Sequence, residues 1–114
     1  MRIVIGAGGS LSSAVCQGYK ERGIAFIGTN TKGSDNLLAL DFTDRKSIEA
    51  FADKIDTVNH LVISAGRERQ SSLMELEEDD FDKMIAIHNA GPLWLVKQLH
   101  AKFSSQACML FALL

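Results

Sequence analysis

The 114-residue sequence predicts an α/β fold, a doubly wound parallel sheet of about five strands with helices on both faces. Three observations predict it. Short β-branched apolar runs alternate with stretches of helical periodicity, and the first run, residues 3–5, leads through a glycine loop directly into a helix. The strand–helix–strand spacing also implies right-handed parallel crossovers. The length suits one domain, residues 1–114, with a core of its own.

The composition excludes several classes of function. Hydrophobic residues make up 46% and charged residues 23% of the chain, with a net charge of −2, as in ordinary globular proteins. No basic stripe is present to bind nucleic acid, and no apolar run approaches the roughly 18 residues that span a bilayer. Cys16 and Cys108 match neither a zinc spacing nor a disulfide framework, and no signal-peptide pattern occurs. We therefore predict a cytoplasmic protein with buried thiols and no metal, nucleic-acid or membrane partner.

The loop after the first strand is typical of a phosphate-binding turn. It reads Gly6-Ala7-Gly8-Gly9 and, with Ser12, forms a Gly-x-x-Gly-x-x-Ser pattern. Gly6 can adopt the positive φ of a tight turn, and the absent side chains let a pyrophosphate approach the backbone at the positive end of the next helix. Ser12 is small enough to pack that helix against the strand, and the serines at 10, 12 and 13 supply hydroxyl donors or caps. A tight turn that binds nothing is the alternative.

The next helix and strand lead to the segment that would discriminate between cofactors. The helix has an apolar face and ends at Gly23, which suits a left-handed cap. A second strand is predicted over residues 24–28, and a polar turn over residues 29–34. In a dinucleotide fold an acid here usually binds the ribose 2′-hydroxyl, but none occurs before Asp35. The polar residues Thr29 to Lys32 would instead receive a 2′-phosphate, which favours NADP over NAD; a solvated Lys32 is the alternative.

Two further strands are predicted to end at the same edge of the sheet. The third, residues 37–40, leads to Asp41, and Asp44 is placed to cap a helix over residues 45–54. The cap does not explain Asp41, which would lie in the crevice where such sheets bind ligands. The fourth, residues 61–64, runs into Ala65 and Gly66, where glycine permits either the close approach of a ligand or a tight turn.

The longest helical pattern covers residues 77–103 and begins with acidic residues, which the helix macrodipole favours there. Gly91 and Pro92 should kink this helix. The apolar face of this helix is so wide that the sheet can bury only part of it, and a second surface must bury the rest. A fifth strand, residues 106–114, is predicted to be buried on both faces.

Four segments, in this order, resemble the N-terminal half of a short-chain dehydrogenase/reductase. They are the glycine loop, residues 40–44 around Asp41, the strand that ends in Ile63-Ser64-Ala65-Gly66, and residues 81–91. The resemblance covers the whole chain and implies a Rossmann-like sheet, strand order 3-2-1-4-5, that binds NADP or NAD. The cofactor-binding residues that it implies, together with the patterns above, are Gly6, Gly9, Ser10, Leu11, Thr29, Asn30, Asp41, Phe42, Ser64, Ala65, Gly66 and His88.

The same resemblance implies that the family's catalytic residues are missing from this chain. His88 takes the place of the catalytic asparagine, and residues 112–114, which correspond to the catalytic serine, carry no hydroxyl. The Tyr-x-x-x-Lys pair would lie beyond residue 114, and the one tyrosine, Tyr19, belongs to the first helix. Hydride transfer to a carbonyl needs an acid to protonate the alkoxide, so we predict no catalytic residue and no turnover. His88 is predicted to pack beside the cofactor crevice.

Three hypotheses follow. In the first, the chain is a nicotinamide-dinucleotide-binding domain without the family's catalytic half. In the second, it is a non-enzymatic module that forms a homodimer or higher homo-oligomer through the long helix or the edge of the fifth strand. In the third, it is a truncated or frameshifted product of a full-length NADP-dependent reductase.

Overall fold

The computed structural model describes residues 1–64 and 73–112, in which five parallel strands form one sheet. The strands are β1 (Arg2–Ile5), β2 (Ile27–Asn30), β3 (Leu37–Ala39), β4 (Val58–Ile63) and β5 (Phe103–Phe111). Their order is β3-β2-β1-β4-β5. This confirms the predicted doubly wound sheet and its strand order.

Within the described residues, four α-helices connect the strands. They are α1 (Ser10–Glu21), α2 (Arg45–Asp53), α3 (Glu78–Ile85) and α4 (Gly91–Leu99). Short 3-10 turns cover Leu73–Glu75 and His100–Lys102. Gly23 follows α1 with a φ of +67°, and the Asp44 carboxylate accepts a hydrogen bond of 3.0 Å from the Lys46 backbone N–H. Both helix boundaries therefore form as predicted. No helix in the described ranges is both long enough and apolar enough to cross a membrane.

The core lies between the sheet and the pair α2 and α4. Alternate residues of the two central strands point to this face because side chains along a strand alternate in direction. They pack against the apolar faces of both helices, in a cluster that includes Ile3, Ile5, Leu61, Ile63, Ile48, Phe51, Leu95 and Leu99. This packing fixes the carboxyl ends of β1 and β4, where the candidate site begins.

The second strand is shifted from its predicted position. It begins at Ile27 and includes Thr29 and Asn30, which were expected in the following turn. Both residues pair with β3, and the Leu40 N–H donates to the Asn30 carbonyl at 2.8 Å. Polar residues are tolerated in this strand because the ladder satisfies their backbone groups.

The predicted long helix is divided by a π-turn over Ala86–Ala90. The Gly91 N–H donates to the carbonyl of Ala86, five residues earlier, as a π-turn requires. Pro92 has no N–H, and its ring would crowd the carbonyl four residues before it in a regular α-helix. The irregularity expected at Gly91 and Pro92 thus takes the form of a widened turn just before them.

The burial predicted for the fifth strand is wrong. Met109, Leu110 and Phe111 are 49%, 49% and 42% exposed, and Cys108 is exposed as well. In the described part of the chain β5 is the outermost strand, so neighbouring elements cover its faces incompletely. The expected buried thiol is found at Cys16 and not at Cys108.

Candidate functional site

A cleft of about 520 Å3 opens at the carboxyl ends of β1 to β4. This is the edge of a doubly wound sheet at which ligands bind. Three groups of residues form its walls: the glycine loop, the ends of β2 and β3, and one face of α3 with the π-turn. The lining residues are Ile5, Gly6, Gly8, Gly9, Thr29, Asn30, Thr31, Leu40, Asp41, Phe42, Thr43, Ser64, Lys83 and Ile87.

The glycine loop is held to β2 by backbone hydrogen bonds. Gly6 has a φ of +75°, and its N–H donates to Thr29 Oγ1 at 3.2 Å. The Ala7 N–H donates to the Thr29 carbonyl at 2.9 Å, and the Gly9 N–H donates to the Gly6 carbonyl at 3.0 Å. Gly9 is the N-cap of α1 and offers no side-chain acceptor. In every α-helix the N–H groups of the first turn have no intrahelical acceptor, and they carry the positive end of the helix dipole. In α1 no side chain of the N-cap residue occupies them.

Two of the three serines in the first turn of α1, Ser12 and Ser13, bond to the loop and the strand ends, and no side chain caps the helix. Ser12 is fully buried, and its hydroxyl donates to the Ile5 carbonyl at 3.3 Å and makes a short hydrogen bond with Ser64 Oγ. Ser13 Oγ donates to the Ala7 carbonyl at 3.2 Å. Ser12 therefore packs α1 against the sheet as predicted, and it also ties the end of β1 to the end of β4.

Asp41 follows β3 and lines the cleft, as predicted. Its Oδ1 accepts hydrogen bonds from the Thr43 N–H at 2.9 Å and from Thr43 Oγ1 at 2.6 Å. Its own N–H donates to Ser47 Oγ at 2.9 Å. These bonds fix the carboxylate at the cleft wall and leave it able to accept further hydrogen bonds.

The predicted site residues fall into four groups. Gly6, Gly9, Thr29, Asn30, Asp41, Phe42 and Ser64 lie together around the cleft. Ser10 and Leu11 are the first residues of α1 and do not line the cleft, and Ala65 and Gly66 lie outside the described residues. His88 lines a different groove.

That second groove, of about 200 Å3, lies between the π-turn, α4 and the ends of β4 and β5. Its walls are largely apolar: Ile63, His88, Asn89, Pro92, Leu93, Val96, Met109 and Phe111 line it. His88 is half-buried there. We predicted that His88 packs beside the cofactor crevice. In the structure it lines this second groove, which adjoins the cleft.

Sequence reasoning missed two cleft residues on the long helix, Lys83 and Ile87. They are four residues apart and so share a helix face, which is the signal that could have found them. Lys32, for which the sequence left a phosphate contact and a solvated position open, is exposed and does not line the cleft.

Tyr19 lies far from this edge of the sheet. Its hydroxyl forms a hydrogen bond of 3.1 Å with His60 Nδ1, near the amino-terminal half of β4. Burial raises the pKa of Tyr19, so the phenol stays protonated. Tyr19 belongs to the first helix, as predicted.

Comparison with known proteins gives one family. The family model described as short chain dehydrogenase matches residues 1–108. A comparison with curated protein sequences found no match.

Solved structures match the fold. A protein from Listeria innocua has 23% identity and a TM-score of 0.80, with 94% of this chain and 52% of that chain covered. A short chain dehydrogenase from Burkholderia cenocepacia in complex with NADP has 15% identity and a TM-score of 0.86, with 96% and 53% covered. A Burkholderia multivorans protein with bound NADP has 21% identity and a TM-score of 0.76, with 96% and 56% covered. The chain thus spans about half the length of the solved structures that it matches.

Proposed function

The chain belongs to the short-chain dehydrogenase family, and on that premise we propose that its cleft binds a nicotinamide adenine dinucleotide, NADP in preference to NAD. The observation that carries the proposal is the arrangement of the cleft. A glycine loop tied to β2 meets the positive end of a 12-residue helix at the ligand-binding edge of the sheet. Two of the matching structures were solved with NADP, which supports the choice of ligand.

The residues of the cleft fit the parts of the cofactor. The pyrophosphate would approach the backbone at Gly6 and Gly9, where no side chain intervenes, and would accept hydrogen bonds from the first-turn N–H groups of α1. Asp41 would accept a hydrogen bond from the adenine amino group, with Phe42 against the ring. The end of β2 carries Asn30 and Thr31 and no carboxylate, so a 2′-phosphate would meet no like charge there.

The bound dinucleotide would supply hydride chemistry, and the protein residues around it would supply binding and orientation. Protonation of an alkoxide requires a positioned acid. The one tyrosine of the chain is hydrogen-bonded to His60, away from the cleft. We therefore propose that the chain binds the cofactor and does not turn over a carbonyl substrate by itself.

Titration calorimetry of the unsubstituted chain tests this function. We expect NADP to bind with a dissociation constant on the order of 100 µM and NAD to bind more weakly. The expected affinity is modest because the residues assigned above would contact the adenosine and the pyrophosphate, and none of them is assigned to the nicotinamide. The absence of heat with both cofactors would refute the proposed function.

Self-association as a non-enzymatic module is a second candidate function, and the exposed apolar residues of β5 favour it. Leu93 on α4 is 67% exposed, beside Met109 and Phe111 of that strand. Burying such a surface against a second copy of the chain would be favourable. We expect sedimentation velocity at high micromolar concentration to show a dimer or larger species. A single monomeric species would argue against this candidate.

A further inference from the structure

We propose that Lys83 on α3, and not Lys32 after β2, recognises the 2′-phosphate of NADP. The inference rests on the proposed function and identifies the residue that would discriminate between the two cofactors. It follows from where the structure places the cations of the described residues.

Lys83 is the single cationic residue among those that line the cleft in residues 1–64 and 73–112. It lies one helical turn before Ile87, on the α3 and π-turn side of the cleft, and Asp41, Phe42 and Thr43 line the same cleft. The glycine loop and Ser64 form the other part of the cleft, where the pyrophosphate would bind. Because the described residues that line the cleft include no other cation, Lys83 is the side chain with which a 2′-phosphate, the group that distinguishes NADP from NAD, would pair.

Other cations near this edge are placed elsewhere. Lys32 is exposed and lies outside the cleft. The Arg45 guanidinium lies 4.3 Å from the centroid of the Trp94 ring, and Lys97 Nζ lies 4.8 Å from the same centroid. Both are thus engaged in cation–π contacts with one aromatic side chain.

Lys83 forms an ion pair with Asp79 that a phosphate could displace. Lys83 Nζ lies 3.1 Å from Asp79 Oδ2, and the two side chains are 47% and 79% exposed. Exposed pairs four residues apart on a helix contribute little to stability, because water and salt screen them. A phosphate carries more charge and more acceptor oxygens than a carboxylate, so it competes well for the ammonium group.

The end of β2 offers neutral groups to the same phosphate. Asn30 Oδ1 already accepts a hydrogen bond from the Gly33 N–H, which leaves the Asn30 amide nitrogen as a donor. Thr31 adds a hydroxyl that lines the cleft. A phosphate bound between this strand end and α3 would have donors on one side and a cation on the other.

A matched pair of lysine substitutions tests the proposal. Calorimetry with NADP and with NAD would be run on the unsubstituted chain, on Lys83→Met and on Lys32→Met, after thermal melting shows that each variant is folded. We expect Lys83→Met to weaken NADP binding about tenfold and to leave NAD binding within about twofold. We expect Lys32→Met to change neither affinity.

The other outcomes overturn the proposal in distinguishable ways. Loss of NADP affinity in Lys32→Met but not in Lys83→Met would assign the phosphate to the loop after β2. Equal weakening of NADP and NAD in Lys83→Met would make Lys83 a contact to the shared part of the cofactor. An unsubstituted chain with no preference for NADP would remove the role of Lys83 but keep the dinucleotide site. An unsubstituted chain that binds neither cofactor would remove the proposed function itself.

Discussion

Replacing Gly91 with alanine is expected to lower the free energy of unfolding by about 3 kcal/mol. A Cβ built at Gly91 would lie 2.6 Å from the Ala86 carbonyl oxygen and 2.7 Å from Phe42 Cγ, and it would also overlap Phe42 Cβ. The Ala86 oxygen is backbone, and Phe42 is buried, so neither can move without displacing its surroundings. Because Phe42 also lines the cleft, the variant should bind NADP more weakly than the unsubstituted chain.

Urea denaturation followed by circular dichroism measures this change, with Gly18→Ala as the control. A Cβ at Gly18 in α1 meets no atom within 4 Å. Alanine has the higher helix propensity, so Gly18→Ala should raise the free energy of unfolding by up to about 1 kcal/mol. Equal stability of Gly91→Ala and the unsubstituted chain would contradict the close packing of α4 against Phe42.

Replacing Gly9 with alanine is expected to weaken NADP binding roughly thirtyfold, or about 2 kcal/mol. The folded chain tolerates this change, because the new Cβ would lie 3.5 Å from the Gly6 carbonyl oxygen and the φ of Gly9 is −73°. The added methyl group would instead occupy space at the N-cap of α1, where the pyrophosphate must approach the backbone. Stability should therefore change by no more than about 1 kcal/mol while affinity falls.

A ligand without the pyrophosphate provides the control for Gly9→Ala. Adenosine 2′-monophosphate keeps the adenine, the ribose and the 2′-phosphate, so calorimetry should give the same affinity for the variant and the unsubstituted chain. If Gly9→Ala bound NADP as tightly as the unsubstituted chain, the glycine loop would not be the pyrophosphate site.

The parts of the fold that the sequence predicted well depend on local interactions. Residues 3–13 hold a strand, a glycine turn with positive φ and the start of a helix, all set by neighbouring residues. The Asp44 cap and the end of α1 at Gly23 are likewise decided within a few residues. The strand order came from the family resemblance, and the structure confirms it.

The errors concern properties that depend on distant parts of the chain. Apolar composition suggested that β5 is buried, but burial depends on which elements cover a strand, and Met109 to Phe111 are about half exposed. For Lys32 the sequence left a phosphate contact and a solvated loop position open, and it gave no prediction for Lys83, which lines the cleft. The spacing of Lys83 and Ile87 shows that they share a helix face, but which surface that face meets is decided by tertiary packing.

The π-turn over Ala86–Ala90 sets the rotational phase between α3 and α4. A regular α-helix turns by about 100° per residue, so the directions of two side chains four residues apart differ by about 40°. The π-turn holds one extra residue, and every later side chain is therefore rotated back by about 100°. Lys83, Ile87, Leu95 and Leu99 are spaced by multiples of four residues. Because of the rotation at the π-turn, all four lie on the side of the helices that faces the protein, the first two in the cleft and the last two in the core. Deleting one residue from this turn would rotate α3 about its axis relative to α4, and the cleft would lose Lys83 and Ile87 from its lining although neither residue was changed.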